Sequence, residues 1–232
     1  MLNRYIIEAD KLVTVLSRFY NSAEYRLDYN PGKNTIRVFD LSDQVHAHIR
    51  LPWASPAFSN LNDLKRHISE NQMQTLAYII ILIQAGYCAV GHCRNGEILA
   101  HKLIRKYMVR KKQGKAQITY LNTKGKSRAG SRIRLAQTVQ FFEEINQQIN
   151  NWMQNFKPDR LLMSCPPRLW GLLFQSKIKP EFLKKDKRLF KIPIDIKIPD
   201  KNELIRVNHL AQKCIIEFDN TIDMDSMVKI II

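Results

Sequence analysis

The chain has 232 residues, room for one large domain or two small ones with a real buried core. Hydrophobic residues make up 45% and charged residues 25%, globular values that exclude chain-wide disorder, collagen and coiled coil. Against that ordinary background, 37 Lys+Arg face 21 Asp+Glu, a net charge of +16 that suits a protein approaching nucleic acid.

In chain order, residues 1–20 carry Ile6, Ile7, Leu12, Val13, Leu16 and Phe19 at helical spacing and predict a helix. Glu8 and Asp10 interrupt them and no cleavage site follows, so a signal peptide is not expected. Residues 30–34 form a Pro-Gly turn leading into a strand at 35–39, and 51–56 read as a loop. A short helix is predicted at 62–71, opened by an Asn or Asp cap. Residues 75–84 are apolar and β-branched, as a buried strand should be. The apolar run inside them is too short to cross a bilayer, so no membrane association is expected.

After Ala85-Gly86, a second strand is predicted at 87–93. Asn95-Gly96 then turns the chain into a third strand, 97–109, which grows basic toward its end. Residues 118–121 suit a short strand or the approach to the next helix, and 122–131 a polar loop. Ser131 can cap a helix over 132–156 that offers Ile133, Val139, Phe142, Ile145, Ile149 and Trp152 to a core. A strand at 161–165 ends at Pro166-Pro167. A helix at 169–175, a strand at 190–194 and a helix at 202–214 follow, with 215–218 a last strand or an extension of that helix. This order predicts an α/β (α+β) fold, a mixed sheet with an antiparallel meander and helices packed on it. Residues 1–74 are an N-terminal helix/strand lead-in, either a small subdomain or part of the same domain. Residues 75–220 are the main domain and 221–232 a tail.

The charge is not spread evenly. Residues 98–142 hold 12 basic residues and no acidic one. A solvated helix face usually mixes signs, whereas a one-sign stretch attracts phosphate backbones. Other chemistry is thin. Cys88, Cys93, Cys165 and Cys214 form no CxxC pair, and His92 and His101 complete no zinc spacing, so neither metal nor cofactor is expected. Each thiol sits in an apolar run, as in a reducing cytoplasm. No nucleophile elbow or phosphate-binding glycine loop appears. Within the basic stretch, Gly114 permits a positive φ or a close approach, and Gln117 offers amide donors and an acceptor but cannot titrate. Taken alone, a glycine and a glutamine three apart also fit an ordinary basic turn.

The surroundings decide the weighting. The run Tyr107-Met108-Val109-Arg110-Lys111-Lys112-Gln113-Gly114-Lys115-Ala116-Gln117, with Ser127-Arg128-Ala129-Gly130-Ser131-Arg132-Ile133-Arg134 after it, resembles the VLRF family. That family is the release-factor-like domain of a eukaryotic factor that clears stalled large ribosomal subunits, with bacterial relatives. It is related to the central domain of eukaryotic and archaeal class-one release factors. The resemblance covers residues 75–218, and the chain looks like a stand-alone bacterial member.

The resemblance implies that Gly114 and Gln117 are the Gly and Gln of a GxxQ catalytic loop, separated here by Lys115 and Ala116. The loop would enter the peptidyl-transferase centre and promote hydrolysis of the peptidyl-tRNA ester. Arg110, Lys111, Lys112, Lys115, Lys124, Lys126, Arg128, Arg132 and Arg134 would contact RNA. The implied partners are the large ribosomal subunit, ribosomal RNA and peptidyl-tRNA, along with other ribosome quality-control factors. Two alternatives stay open: cleavage of the tRNA near its 3′ end, and a non-catalytic ribosome- or RNA-binding module.

Overall fold

The computed structural model describes residues 3–69, 76–108 and 129–218, and these divide into two compact units. The first takes the described residues up to Leu76 and those from Asn208 onward; the second is drawn from Ala77–Val207.

In the first unit, β1 (Asn3–Glu8) leads into α1 (Ala9–Asn21). Then come β2 (Arg26–Asn30), β3 (Thr35–Phe39), β4 (Val45–Arg50), α2 (Leu61–Ser69) and, from the far end of the chain, β10 (Lys213–Phe218). The strands form an antiparallel sheet in the order β1-β10-β4-β3-β2. Leu12, Val15 and Leu16 of α1 and Leu64 of α2 share its core with Ile36, Ile49 and Ile216. The expected cap of α2 is Asn60, whose Oδ1 accepts the Asp63 N–H at 2.9 Å. Asp63 Oδ2 reaches back to accept the Ser59 N–H at 3.0 Å, so two otherwise orphaned donors are satisfied.

The helix expected over 1–20 holds only from Ala9. Before it, Asn3–Glu8 is a strand because β10 lies beside it in space, with Ile7 opposite Cys214, 207 positions later. A pairing partner that remote leaves no local trace, and it outweighs the helical spacing. β2 and β4 carry mixed polar sequences and were equally invisible to the periodicity.

In the second unit, β5 (Ala77–Gln84), β6 (Tyr87–Arg94) and β7 (Glu97–Arg105) form the expected meander. A bulge in the pairing at His92/Cys93 shifts the register of β6 on β7. After α3 (Ala129–Phe156), β8 (Arg160–Ser164) joins parallel to β5. After α4 (Pro167–Gln175), β9 (Leu189–Lys191) joins parallel to β8. The sheet order is β7-β6-β5-β8-β9. α3 and α4 supply Phe141, Phe142, Ile145, Ile149, Leu169 and Leu173 to the core with Ile79, Ile81 and Ile83. On the alternate positions, Gly91 lets Leu204 of α5 (Lys201–Ala211) come so close that an added Cβ would sit 3.0 Å from its side chain. β5 is therefore covered on both faces, which is why its sequence is a continuous apolar run.

The structure differs from the sequence expectations in three further places. There are two five-stranded sheets where one was expected. Residues 75–220 do not stay together: 213–218 is a strand paired with β1 and β4 in the first unit. On α3, Phe142, Ile145, Ile149 and Trp152 are buried as expected, but Ile133 and Val139 are 58% and 47% exposed while Phe141 and Met153 take core places. The sheet sets the phase of that helix. Ile133 precedes the first buried position, Thr138, and Val139 points out of phase with those that follow.

Candidate nucleic-acid interface

Nine of the expected site residues lie outside the described residues: Arg110, Lys111, Lys112, Gly114, Lys115, Gln117, Lys124, Lys126 and Arg128. What the structure places is the mount that carries them. The 20-residue stretch 109–128 leaves from the end of β7 and returns at α3.

The departure point is fixed by packing. Among the described residues β7 is the end strand of its sheet. Beyond it, the Lys106 N–H donates to the Gly86 carbonyl at 3.0 Å. Met108 is buried at 2% exposure in the core cluster, and its Sδ lies 3.1 Å from the Gly86 N–H. Gly86 adopts φ +81°, a left-handed conformation that a side chain disfavours, and a Cβ there would come 2.5 Å from the Lys106 carbonyl oxygen. The Lys106 ammonium meets Glu144 of α3 at 2.6 Å, tying the departing chain to the helix on which it later returns. That leaves exposed cations around the base. Lys102 and Arg105 project from β7, the Arg105 guanidinium 5.8 Å from the centre of the Tyr87 ring. Tyr107 is 52% exposed beside them.

Two expected RNA-contacting residues fall on the return side. Arg132 is exposed on the first turns of α3, and Arg134 is half-buried, its carbonyl accepting the Thr138 hydroxyl at 2.8 Å. The described part of the acid-free stretch thus presents cations from both β7 and α3. Gln117 follows Met108 by nine positions, so extended chain carries it at most about 30 Å from that anchor.

Other chemistry is poorly supported among the described residues. No group of three or more His, Cys, Asp or Glu could hold a metal there. A crevice of about 520 Å³ opens where β5, β8 and β9 end, lined by Gln84, Ser164, Cys165, Lys191 and Asp195. Burial pushes the Cys165 thiol up to about 12, so it stays protonated and is a poor nucleophile.

Residues 78–217 match the family described as Bacteroidetes VLRF1 release factor. The chain belongs to that family. The match spans the whole described second unit but for its first residue, and runs on into β10. A curated mouse (Mus musculus) protein, tRNA endonuclease ANKZF1, is 25% identical over 135 residues, which are 57% of this chain and 18% of the mouse protein. The chain therefore spans less than a fifth of that relative. Among solved structures, the Vms1 mitochondrial localization core is similar at TM-score 0.48 and 13% identity, over 89% of this chain and 95% of that one. Archaeoglobus fulgidus Pelota is similar at TM-score 0.32 and 13% identity, over 90% and 63%.

For this member of the family, sequence reasoning missed the anchors. Gly86 reads as a turn residue and nothing more; that it faces Lys106 follows from the register in which Tyr87 opposes Arg105. The Lys106–Glu144 pair has no sequence signal, since 38 positions separate its members.

Proposed function

We propose that this VLRF release factor hydrolyses the ester of peptidyl-tRNA held on stalled large ribosomal subunits, with Gly114 and Gln117 in its catalytic loop. The reading is supported by one conjunction. The Gly114-Lys115-Ala116-Gln117 run, read as the family's GxxQ element, stands in the longest acid-free stretch of a chain of net charge +16, and the strand before it is anchored by packing.

The chemistry suits those residues. Attack on the ester carbonyl builds negative charge on its oxygen. The Gln117 amide can donate to that oxygen or hold the attacking water, but it cannot serve as a base because it does not titrate in the physiological range. The proton must therefore leave through water, the tRNA or the ribosome. Gly114 lets backbone N–H groups approach closely without a side chain intervening. Arg110, Lys111, Lys112, Lys115, Lys124, Lys126, Arg128, Arg132 and Arg134 neutralise ribosomal RNA and tRNA phosphates and position the loop. The work is done in the cytoplasm, in company with other ribosome quality-control factors.

A second reading is cleavage of the tRNA near its 3′ end, favoured by the name of the mouse relative, a tRNA endonuclease. The two reactions leave different products. The test is nascent-chain release from purified large subunits by wild type and Gln117→Ala, with binding followed by co-sedimentation and the tRNA 3′ end sequenced. Ester hydrolysis leaves an intact terminal CCA, and loss of it selects the endonuclease reading. A Gln117→Ala protein that releases at the wild-type rate removes Gln117 from the mechanism, and a wild type that binds without releasing is a binding module.

A further inference from the structure

A second concentration of positive charge lies outside the acid-free stretch. Residues 176–191, between α4 and β9, contain seven Lys and Arg against Glu181 and Asp186. Both acids are engaged. Glu181 accepts a hydrogen bond from the Gln154 amide. Asp186 takes two from the Arg188 guanidinium, at 3.1 and 2.8 Å, and that contact holds its carboxyl below the usual range. Lys179 donates to the Phe174 carbonyl at 2.9 Å. Lys177, Lys184, Lys185, Lys187 and Lys191 remain exposed, and none has an acidic partner among the described residues.

This segment is not a loose tail. Phe182 is 2% exposed and plugs into the core against Trp170 and Phe174. The buried Asn146 amide of α3 donates to the Leu173 and Ile178 carbonyls at 2.8 and 2.7 Å. Asn150 bonds the Lys179 carbonyl and the Glu181 N–H at 2.8 and 2.9 Å. The Asp186 and Leu189 N–H groups close turns at 3.0 Å each. A backbone so held is already ordered, so binding costs only the ordering of the lysine side chains.

We propose that this pinned segment is a second RNA-binding surface that grips the phosphate backbone of structured RNA. The proposal rests on the ribosomal reading above and adds to it a contact that orients the protein. β9 and β7 are the opposite edges of one sheet, so four strand spacings, about 19 Å, separate this surface from the strand that carries the catalytic loop. Phosphate contacts at one end of the sheet alone leave the protein free to pivot on the RNA, and a second phosphate contact on a rigid part of the same unit fixes its orientation. An anionic membrane suits the segment less well. It is not helical, and its large exposed apolar side chain is Leu183 alone, with no apolar face to insert.

The test uses the full chain and two probes, deacylated tRNA and an RNA duplex, across a salt series. The variants are K184Q/K185Q/K187Q, the loop variant R110Q/K111Q/K112Q, and a control of equal charge change, K33Q/K157Q/K201Q. All are first shown to unfold at the wild-type temperature. The segment variant should lose about tenfold in affinity relative to the control, and its plot of log affinity against log salt should flatten by roughly two to three units. If it matches the control while the loop variant is weakened, this inference fails and the ribosomal reading stands. If the wild type binds neither probe, both fail. With phosphatidylserine vesicles added as a control surface, a segment variant that loses vesicle binding but keeps its RNA affinity assigns the surface to a membrane, and the proposal is overturned.

Discussion

Gly86→Ala tests whether the chain after β7 is pinned at Lys106 as the structure shows. The new methyl meets the Lys106 carbonyl oxygen at 2.5 Å, and the backbone must keep φ +81° to preserve the turn. A left-handed alanine costs about 1–2 kcal/mol. Relieving the contact moves Lys106 off the 3.0 Å hydrogen bond to the Gly86 carbonyl, at a further ~1 kcal/mol. Restricting the unfolded chain returns about 0.4–1 kcal/mol. The net loss is about 2 kcal/mol, a fall in Tm of roughly 4–8 °C for a chain of this size. Gly171→Ala is the matched comparison. Gly171 lies inside α4 with nothing within 4 Å of an added Cβ, so helix propensity should stabilise that variant by about 0.5–1 kcal/mol. Thermal and urea unfolding followed by circular dichroism measure both. If Gly86→Ala unfolds within about 0.5 kcal/mol of wild type, the turn does not anchor the chain at Lys106. Equal losses at the two glycines would show that backbone geometry is not the cause.

Asn146→Ala should destabilise by about 2–4 kcal/mol, because it strands the buried Leu173 carbonyl and the part-buried Ile178 carbonyl; urea unfolding reads the loss, and amide exchange should quicken around residues 176–181. Gln117→Ala should leave the unfolding temperature and large-subunit binding unchanged while peptide release falls by roughly 10²-fold or more, measured under single-turnover conditions. His92 predicts an acid-sensitive fold. Its ring is buried against Phe156, both nitrogens lack hydrogen-bond partners among the described residues, and burial first, then Arg94, holds its pKa below the ordinary 6.5. The unfolded chain therefore binds the extra proton, so this contribution to stability is present above pH 6.5 and is lost as pH falls below it, by at most about 1.4 kcal/mol per unit. The urea midpoint of His92→Phe should fall less than that of wild type on acidification; parallel falls would remove His92 from the effect.

Periodicity and turn chemistry found the second unit because its signals are local. A doubly covered strand must be apolar throughout, as Ala77–Gln84 is, and an Asn-Gly pair must turn a hairpin, as Asn95-Gly96 does with both residues at positive φ. The candidate site was legible for the same reason. Like charges without acids, and a glycine three before a glutamine, are facts of neighbouring residues and need no fold to be seen. Whatever joined distant residues stayed hidden. Asn3–Glu8 reads as helix until β10 is laid beside it, and nothing in residues 213–218 announces that they leave one sheet for another. Ile133 and Val139 fit an apolar stripe on paper, but only the sheet beneath α3 sets which side of the helix is inside. The anchors of the loop, Gly86 against Lys106 and Lys106 against Glu144, and the pinned lysines of residues 176–191, exist only once the chain has folded. Local sequence writes backbone preference and charge; pairing register and helix phase are settled by contacts between segments that the sequence holds far apart.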